Sequence, residues 1–199
     1  METMRAGFAA CAILALSGCG EQPVFTSATT SIDLETCDRV GEEVAFDGAT
    51  WQCESFGDIP VYVSEGDLRA YVSFEAPESD RAARTIATQT LTPYNRLGNK
   101  LEWRLATREN ETWPVAVIAR YTTQVDHGDN EFDEGEVLVV AKYAPDEACH
   151  MAYVDVPANP NAETLARAAA DEEAIDFDCA DDEIMILGAP GVSLADTGF

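Results

Sequence analysis

The stretch EVLVVAKY at residues 136–143 decides the fold class. Its positions 137–140 are all apolar, and three of the four are Val. A short continuous apolar run rich in β-branched residues is typical of a strand that is covered on both faces. The stretch therefore predicts a central strand of a sheet.

The segments around this stretch also favour strands. The sequence LEWRL at residues 101–105 alternates strictly between apolar and charged side chains, as a half-buried strand does. Asp47-Gly48 separates two short strand-like runs at residues 43–46 and 49–53, and this pair suits the positive φ angles of a tight hairpin turn. Further strands are predicted at residues 60–64, 68–74, 100–105, 115–122, 136–143 and 150–156.

One helix is predicted near the carboxyl end, at residues 162–174 (AETLARAAADEEA), with Asn161 as its N-cap. A second, shorter helix is a candidate at residues 80–90. The apolar stripe of the first helix consists of Leu165, Ala168, Ala169 and Ile175. The predicted fold class is α+β: a mostly antiparallel sheet of about six to eight strands, with this C-terminal helix packed on one face.

Length and charge bound the function classes. The chain has 199 residues, which suits one domain, and it carries 12 Lys and Arg against 37 Asp and Glu, a formal net charge of −25. Binding to nucleic acid depends on Lys and Arg displacing counterions from phosphates. We therefore expect no nucleic-acid partner.

The amino terminus has the form of an export signal. Residues 6–16 (AGFAACAILAL) follow Arg5 and precede the small pair Ser17-Gly18. The run is shorter than the roughly 20 apolar residues of a membrane-spanning helix. We therefore expect export rather than a transmembrane segment.

The tetrapeptide Leu16-Ser17-Gly18-Cys19 resembles the lipobox of bacterial lipoproteins. The resemblance implies cleavage before Cys19, lipidation of that residue, and attachment to the membrane through its acyl chains. Gly20 follows the cysteine, which by the same resemblance favours the outer membrane, facing the periplasm. The predicted organisation is a signal peptide at 1–18, a flexible tether at 19–31, a single domain at 32–187 and a disordered tail at 188–199. An ordinary cleaved signal with a chance cysteine is the alternative.

Four cysteines remain in the predicted domain: Cys37, Cys53, Cys149 and Cys179. An even number in an exported domain favours disulfides, and four cysteines allow three pairings. We predict Cys37 with Cys53 and Cys149 with Cys179, because each pair joins neighbours in the sequence. A zinc site or a cysteine nucleophile is disfavoured, since the spacing of neither is present.

Three stretches of the domain carry a second resemblance. Residues 60–69 (PVYVSEGDLR), 101–105 and 149–155 (CHMAYVD) are similar to small exported alphaproteobacterial proteins of unknown function. The third of these stretches leads into Ala158-Asn159-Pro160-Asn161-Ala162, which shares the resemblance. This resemblance implies no activity. It supports only an exported domain with disulfides.

Two groups of charged residues are candidate ligand sites. Six carboxylates fall between positions 126 and 136, but the glycine of an EF-hand loop would stand at position 134 rather than 135, so a solvated hairpin loop is favoured over a weak calcium site. These are Asp126, Asp129, Glu131, Asp133, Glu134 and Glu136. Four basic residues recur every four positions, and we expect them to neutralise acidic neighbours rather than bind an anion. These are Arg96, Lys100, Arg104 and Arg108.

No catalytic sequence motif is present, and the only histidines are His127 and His150. We predict no catalytic residues, no metal and no cofactor. The leading hypothesis is a non-catalytic, lipid-anchored envelope module with an envelope protein as partner. A tethered periplasmic hydrolase that uses carboxylates is the first alternative, and a weak calcium-binding surface protein is the second.

Overall fold

The computed structural model describes residues 22–40, 48–75, 89–126 and 132–194. These residues contain ten strands, one α-helix (α1, Ala162–Glu173) and a 3-10 turn at Val192–Leu194. The strands are β1 Val24–Ser31, β2 Asp38–Val40, β3 Ala49–Phe56, β4 Ile59–Gly66, β5 Arg69–Ser73, β6 Tyr94–Arg108, β7 Glu111–Asp126, β8 Phe132–Ala144, β9 Glu147–Asp155 and β10 Met185–Ile186.

The strands form two sheets. One has the order β1-β6-β7-β8-β9-β10 and the other the order β2-β3-β4-β5. All neighbouring strands are antiparallel except β9 and β10, which are parallel. The predicted α+β class with a mostly antiparallel sheet is confirmed. The strands divide between two sheets, however, because the larger sheet has an apolar face that the smaller sheet buries.

The core shows how β8 is covered on both sides. Val137 and Val139 belong to the cluster that also contains Val61 and Val63 of the smaller sheet. Leu138 and Val140 belong to a second cluster, together with buried residues of the helix. Alternate side chains of a strand point to opposite faces, so a continuous apolar run fills two clusters at once. The interpretation of 137–140 as a central strand is confirmed.

The buried stripe of helix α1 matches the predicted one only in part: Ala169 is buried and Leu165 packs against the same cluster. Its buried residues are Ala162, Ala166, Ala169 and Ala170. Ile175 lies beyond the helix and is 46% exposed. The buried positions follow the i, i+4, i+7, i+8 pattern of one helical face. Asn161 occupies the N-cap position, but its side chain makes no capping hydrogen bond.

Both ends of the described chain depart from the prediction. Val24–Ser31 was assigned to a flexible tether, yet it forms β1 and pairs with β6 along its whole length. Its Thr30 Oγ1 accepts a hydrogen bond of 2.9 Å from the Trp103 indole. In the predicted tail, Ser193 is fully buried and donates its backbone N–H to the Asp155 carboxylate at 2.8 Å. Both segments therefore belong to the folded domain as far as residue 194.

Residues 43–47 of the predicted hairpin at Asp47-Gly48 lie outside the described residues. The hairpin would place Thr50 opposite residue 45, which is wrong, because Thr50 lies opposite Val40 in the β2–β3 ladder. Gly48 has a different role. It has φ +89°, and an added Cβ would lie 1.7 Å from the Glu65 carbonyl oxygen. Most of the predicted helix at residues 80–90 lies outside the described residues.

Candidate binding cleft

A cleft of about 460 Å³ opens where the β4–β5 turn of the smaller sheet meets β6 and β7 of the larger one. We call it the turn cleft. Its walls combine charged, amide, hydroxyl, aromatic and aliphatic groups. The lining residues are Gly48, Glu65, Gly66, Asp67, Leu68, Arg69, Tyr94, Asn95, Arg96, Thr122 and Gln124.

Leu68 is the unusual residue of the turn cleft. Gly66 and Arg69 are paired in the β4–β5 ladder, so Asp67 and Leu68 form a two-residue turn. Their φ angles are +49° and +59°, in the left-handed region that disfavours side chains other than Gly, Asn and Asp. The Leu68 side chain is nevertheless 69% exposed. An apolar side chain thus stands in solvent on a strained backbone, where neither turn formation nor core packing requires it.

A second hairpin of the same protein has a residue at the equivalent turn position that tolerates the left-handed conformation. Glu109 and Asn110 connect β6 to β7 with φ angles of +52° and +69°. Asn110 holds the turn position that Leu68 holds in the turn cleft, and asparagine tolerates the left-handed conformation. The comparison shows that leucine is not demanded by this type of turn.

Arg69 and Tyr94 form a fixed platform beside Leu68. The Arg69 guanidinium donates two hydrogen bonds, of 3.0 and 2.7 Å, to the Thr92 carbonyl oxygen. It also donates to the Asp67 carboxylate at 2.7 Å. Its Cζ lies 5.3 Å from the centre of the Tyr94 ring. Hydrogen bonds on both sides hold the guanidinium against a partly exposed aromatic ring.

Asn95 forms the floor of the turn cleft. Its buried Oδ1 accepts a hydrogen bond from the Ala70 N–H at 3.0 Å, and its Nδ2 donates to the Leu91 and Pro93 carbonyl oxygens at 3.0 and 2.8 Å. Its own N–H donates to the Leu68 carbonyl oxygen at 3.0 Å. A buried side chain satisfied in this way ties the two sheets together and keeps the cleft preorganised.

The recurring basic residues do not converge on one site. Arg96 pairs with Glu134 at 3.4 Å, and Arg108 lies over the Trp113 ring at 5.8 Å. Lys100 lines a separate cleft of about 310 Å³. Four residues of a strand span about 13 Å, so these side chains lie too far apart along β6 to form a common anion site.

Arg104 and its neighbours join the helix to the larger sheet. The buried Arg104 donates two hydrogen bonds, of 2.8 and 2.6 Å, to the Asp171 carboxylate. Arg167 donates two more to Glu102, at 2.7 and 2.9 Å. Hydrogen bonding to Arg167, and to a lesser degree to Ser27, lowers the pKa of Glu102 against the opposing effect of burial. These basic residues therefore neutralise acidic neighbours.

His150 is enclosed by the core and is not placed for catalysis. Its side chain is almost completely buried, and its Nδ1 shares a hydrogen bond of 2.7 Å with the Tyr153 hydroxyl. Burial lowers the pKa of His150 to about 3 and raises the pKa of Tyr153. The Nε2 has no hydrogen-bond partner among the described residues, and His150 borders a void of only about 10 Å³. His127 lies outside the described residues.

The cysteines pair as the sequence predicts. Cys37 is bonded to Cys53 with a Cα–Cα distance of 4.4 Å, and Cys149 to Cys179 with a distance of 5.8 Å. Cys149 belongs to the core cluster on the helix side, whereas His150 borders the void between the sheets, so the two side chains lie on opposite faces of β9. Cys19, the predicted lipidation site, lies outside the described residues.

The acidic candidate site is only partly described. Asp129 and Glu131 lie outside the described residues. Glu134 pairs with Arg96, and Glu136 with Arg120 at 3.0 Å. Within the described ranges no group of three or more His, Cys, Asp or Glu side chains is arranged to hold a metal ion.

Comparison with protein-family models, curated proteins and solved structures finds no match for this chain. In the described part of the chain, no helix has both the length and the apolar character needed to cross a membrane.

Of the residues that line the turn cleft, only Arg96 is among the candidate ligand residues of the sequence. Leu68 is predicted in a strand at residues 68–74, and no role is predicted for Tyr94 or Asn95. One signal was available: the Glu-Gly-Asp-Leu-Arg sequence at 65–69 lies between two strand-like runs, so a turn was a possible assignment there. The proximity of Tyr94 to this turn depends on the contact between sheets, and no local pattern encodes it.

Proposed function

We propose that this chain is a lipoprotein of the bacterial envelope, acylated at Cys19 and held on the outer membrane facing the periplasm. We propose further that its domain is a non-catalytic module that binds another envelope protein. The lipobox-like tetrapeptide at 16–19 supports the anchor. The two disulfides support a compartment outside the reducing cytosol.

The exposed Leu68 in its left-handed turn is the observation that carries the binding role. A left-handed leucine costs about 1–2 kcal/mol relative to a relaxed backbone, and no core contact of this 69% exposed side chain offsets that cost. Contact with a partner would offset it. Tyr94 and Arg69 stand beside Leu68, and aromatic and arginine side chains are enriched at the centres of protein interfaces.

Two carboxylates of the cleft of about 310 Å³ are poorly suited to hydrolysis. Glu102 and Glu163 line this cleft, which Lys100 also lines, and each is hydrogen-bonded to an arginine. The pKa of Glu163 is lowered first by a hydrogen bond from its own backbone N–H and then by Arg120. Carboxylates held ionised in this way are poor proton donors, which a general acid must be. In the turn cleft, Asp67 is already paired with Arg69.

We also propose that α1 lies across the face of the larger sheet that points away from the smaller one. Its buried alanines share one apolar cluster with Leu138 and Val140 of β8. The ion pair between Arg104 of β6 and Asp171 joins the helix to the same sheet. The helix would then shield this face and leave the turn cleft for the partner.

Site-specific photo-crosslinking in the native envelope tests the binding role. A photoreactive phenylalanine analogue at position 68 should yield one adduct of discrete mass. The same analogue at position 110, which is exposed in the same type of turn, is the matched control and should not yield that adduct. Equal crosslinking at both positions, or none at position 68, would contradict a partner at the turn cleft.

Metabolic labelling tests the anchor separately. Labelled palmitate should enter the wild-type protein and be absent from Cys19→Ser. Equal labelling of the two proteins, or none in the wild type, would exclude acylation at Cys19. Neither result depends on the crosslinking experiment, so the two parts of the proposal can fail independently.

A further inference from the structure

A groove of about 720 Å³, separate from the two clefts described above, lies between the start of β1, the β6–β7 hairpin and the carboxyl end of α1. We call it the anchor groove. Gln22 and Phe25 line it from the amino-terminal side, Trp113 from β7, and Ile175 from the segment after the helix. Its walls also carry Arg108 and several carboxylates.

Covalent geometry places the anchor groove near Cys19. Three peptide units separate Cys19 from Gln22, and consecutive Cα atoms are about 3.8 Å apart, so the two Cα atoms are at most about 11 Å apart. This bound holds for any conformation of the intervening residues. With β1 beginning at Val24 instead of after residue 31, an acylated Cys19 keeps the groove beside the bilayer surface.

The side chains around the anchor groove suit a membrane interface. Ile175, which lines the groove, is 46% exposed. The half-buried Trp113 ring carries the Arg108 guanidinium at 5.8 Å. Tryptophan concentrates at the headgroup level of bilayers, and arginine can extend its charge toward water while its stem remains on apolar surface.

The charge of the anchor groove selects the type of lipid. Asp171 is neutralised by Arg104, so the charges that remain in the lining are the two carboxylates of Glu172 and Asp176 against the single guanidinium of Arg108. No basic residue stands in the last turn of the helix. The helix dipole is negative at this end and adds to the two carboxylates, so a cationic group is favoured there. Anionic lipids would be repelled.

We propose that the anchor groove rests on a zwitterionic phospholipid surface, with Trp113 at the headgroup level and lipid ammonium groups against Glu172 and Asp176. The inference depends on acylation of Cys19 as proposed above. It adds an orientation: the domain lies against the membrane through this groove, rather than moving freely at the end of a tether.

Quenching of tryptophan fluorescence by lipid tests the contact. The acylated full-length mature protein is purified from membranes in detergent and reconstituted into phosphatidylcholine vesicles that contain brominated acyl chains. Bromine quenches at short range, so Trp113 should provide the quenched emission. Trp113→Phe should lose most of the quenching. Trp51→Phe is the matched control and should retain it, because Trp51 lies in β3 of the smaller sheet.

The outcomes separate this inference from the anchor itself. Acylated protein that floats with the vesicles but shows no quenching, or quenching that Trp113→Phe leaves unchanged, would overturn the orientation alone. Protein whose Cys19 carries no acyl chain by mass spectrometry would overturn the anchor, and the orientation with it.

A second measurement uses the wild-type protein, in case Trp113→Phe does not fold. Replacement of phosphatidylcholine by phosphatidylglycerol at a constant content of brominated lipid should reduce the quenching. An increase with the anionic lipid would overturn the proposed contact between ammonium groups and the two carboxylates.

Discussion

The buried imidazole of His150 makes the stability of the fold depend on pH. The side chain is 1% exposed, and burial lowers its pKa from 6.5 to about 3. In the unfolded chain the imidazole takes up a proton as the pH falls through about 6.5. In the folded protein it remains neutral until the pH approaches 3. Between these two values the unfolded state binds more protons, so the free energy of unfolding falls as the pH falls.

The size of the effect follows from linkage. Each pH unit below the unfolded pKa removes about 1.4 kcal/mol while the folded imidazole stays neutral. Between pH 6.5 and pH 5 the contribution of His150 should therefore fall by about 2 kcal/mol. Glu102 and Glu163 have lowered pKa values and also lose stabilisation in acid, so the effect of His150 must be separated from theirs.

Urea unfolding of wild type and His150→Gln at pH 7 and pH 5 makes that separation. Glutamine cannot be protonated in this range, and its amide can still hydrogen-bond to the Tyr153 hydroxyl. The wild type should lose about 2 kcal/mol more than the variant between the two pH values. The same pH dependence in both proteins would refute the reasoning.

Nuclear magnetic resonance gives an independent check if His150→Gln unfolds. The Cε1 resonance of His150 in the wild type should not titrate between pH 7 and pH 4. A midpoint near the unperturbed value of 6.5 would show that the ring is hydrated and that burial does not control its pKa.

Three further substitutions test particular features of the fold. Leu68→Asn should raise the free energy of unfolding by about 1 kcal/mol, because asparagine tolerates the left-handed turn; an unchanged urea midpoint would contradict strain at this position. Gly135→Ala should lower thermal stability by about 1–3 kcal/mol, since its Cβ would lie 2.5 Å from the Ser193 hydroxyl oxygen; a melting temperature equal to that of the wild type would show that the turn at Ser193 moves freely. Replacing Cys149 and Cys179 together by serine should lower the free energy of unfolding by about 3–4 kcal/mol, the value for a closed loop of 30 residues. The comparison with wild type is made under non-reducing conditions. Equal stability would mean that the disulfide does not constrain the unfolded chain.

Local patterns in the sequence were sufficient for several elements. The continuous run at 137–140 predicted a strand with two buried faces, because residue alternation sends its side chains into both core clusters. The helix was predicted at residues 162–174 and is observed at Ala162–Glu173. Its alanines and flanking loop residues are local signals. Pairing cysteines with their sequence neighbours also gave the two disulfides of the structure.

Long-range pairing was beyond these patterns. Val24–Ser31 is polar and rich in threonine and serine, so it read as a tether, yet it forms the edge strand next to β6, with Ser31 opposite Lys100. The hairpin at Asp47-Gly48 was wrong for a related reason: Thr50 pairs with Val40, outside the span of a tight turn. A short strand pairs with whichever exposed edge the rest of the fold offers, and its own sequence does not identify that edge.

The sequence by itself determined the acidic charge, the central strand and the helix, because each depends on composition or on residues close together in the chain. The export signal and lipobox stay predictions from the same kind of local pattern. Only the tertiary structure decided the division into two sheets, the turn cleft around Leu68, the burial of His150 and the position of the anchor groove beside the start of β1. These features depend on side chains that are distant in sequence and meet only when the sheets pack. Two surfaces pack together when their shapes and charges are complementary in three dimensions. A local sequence pattern does not specify which surfaces of the fold are complementary.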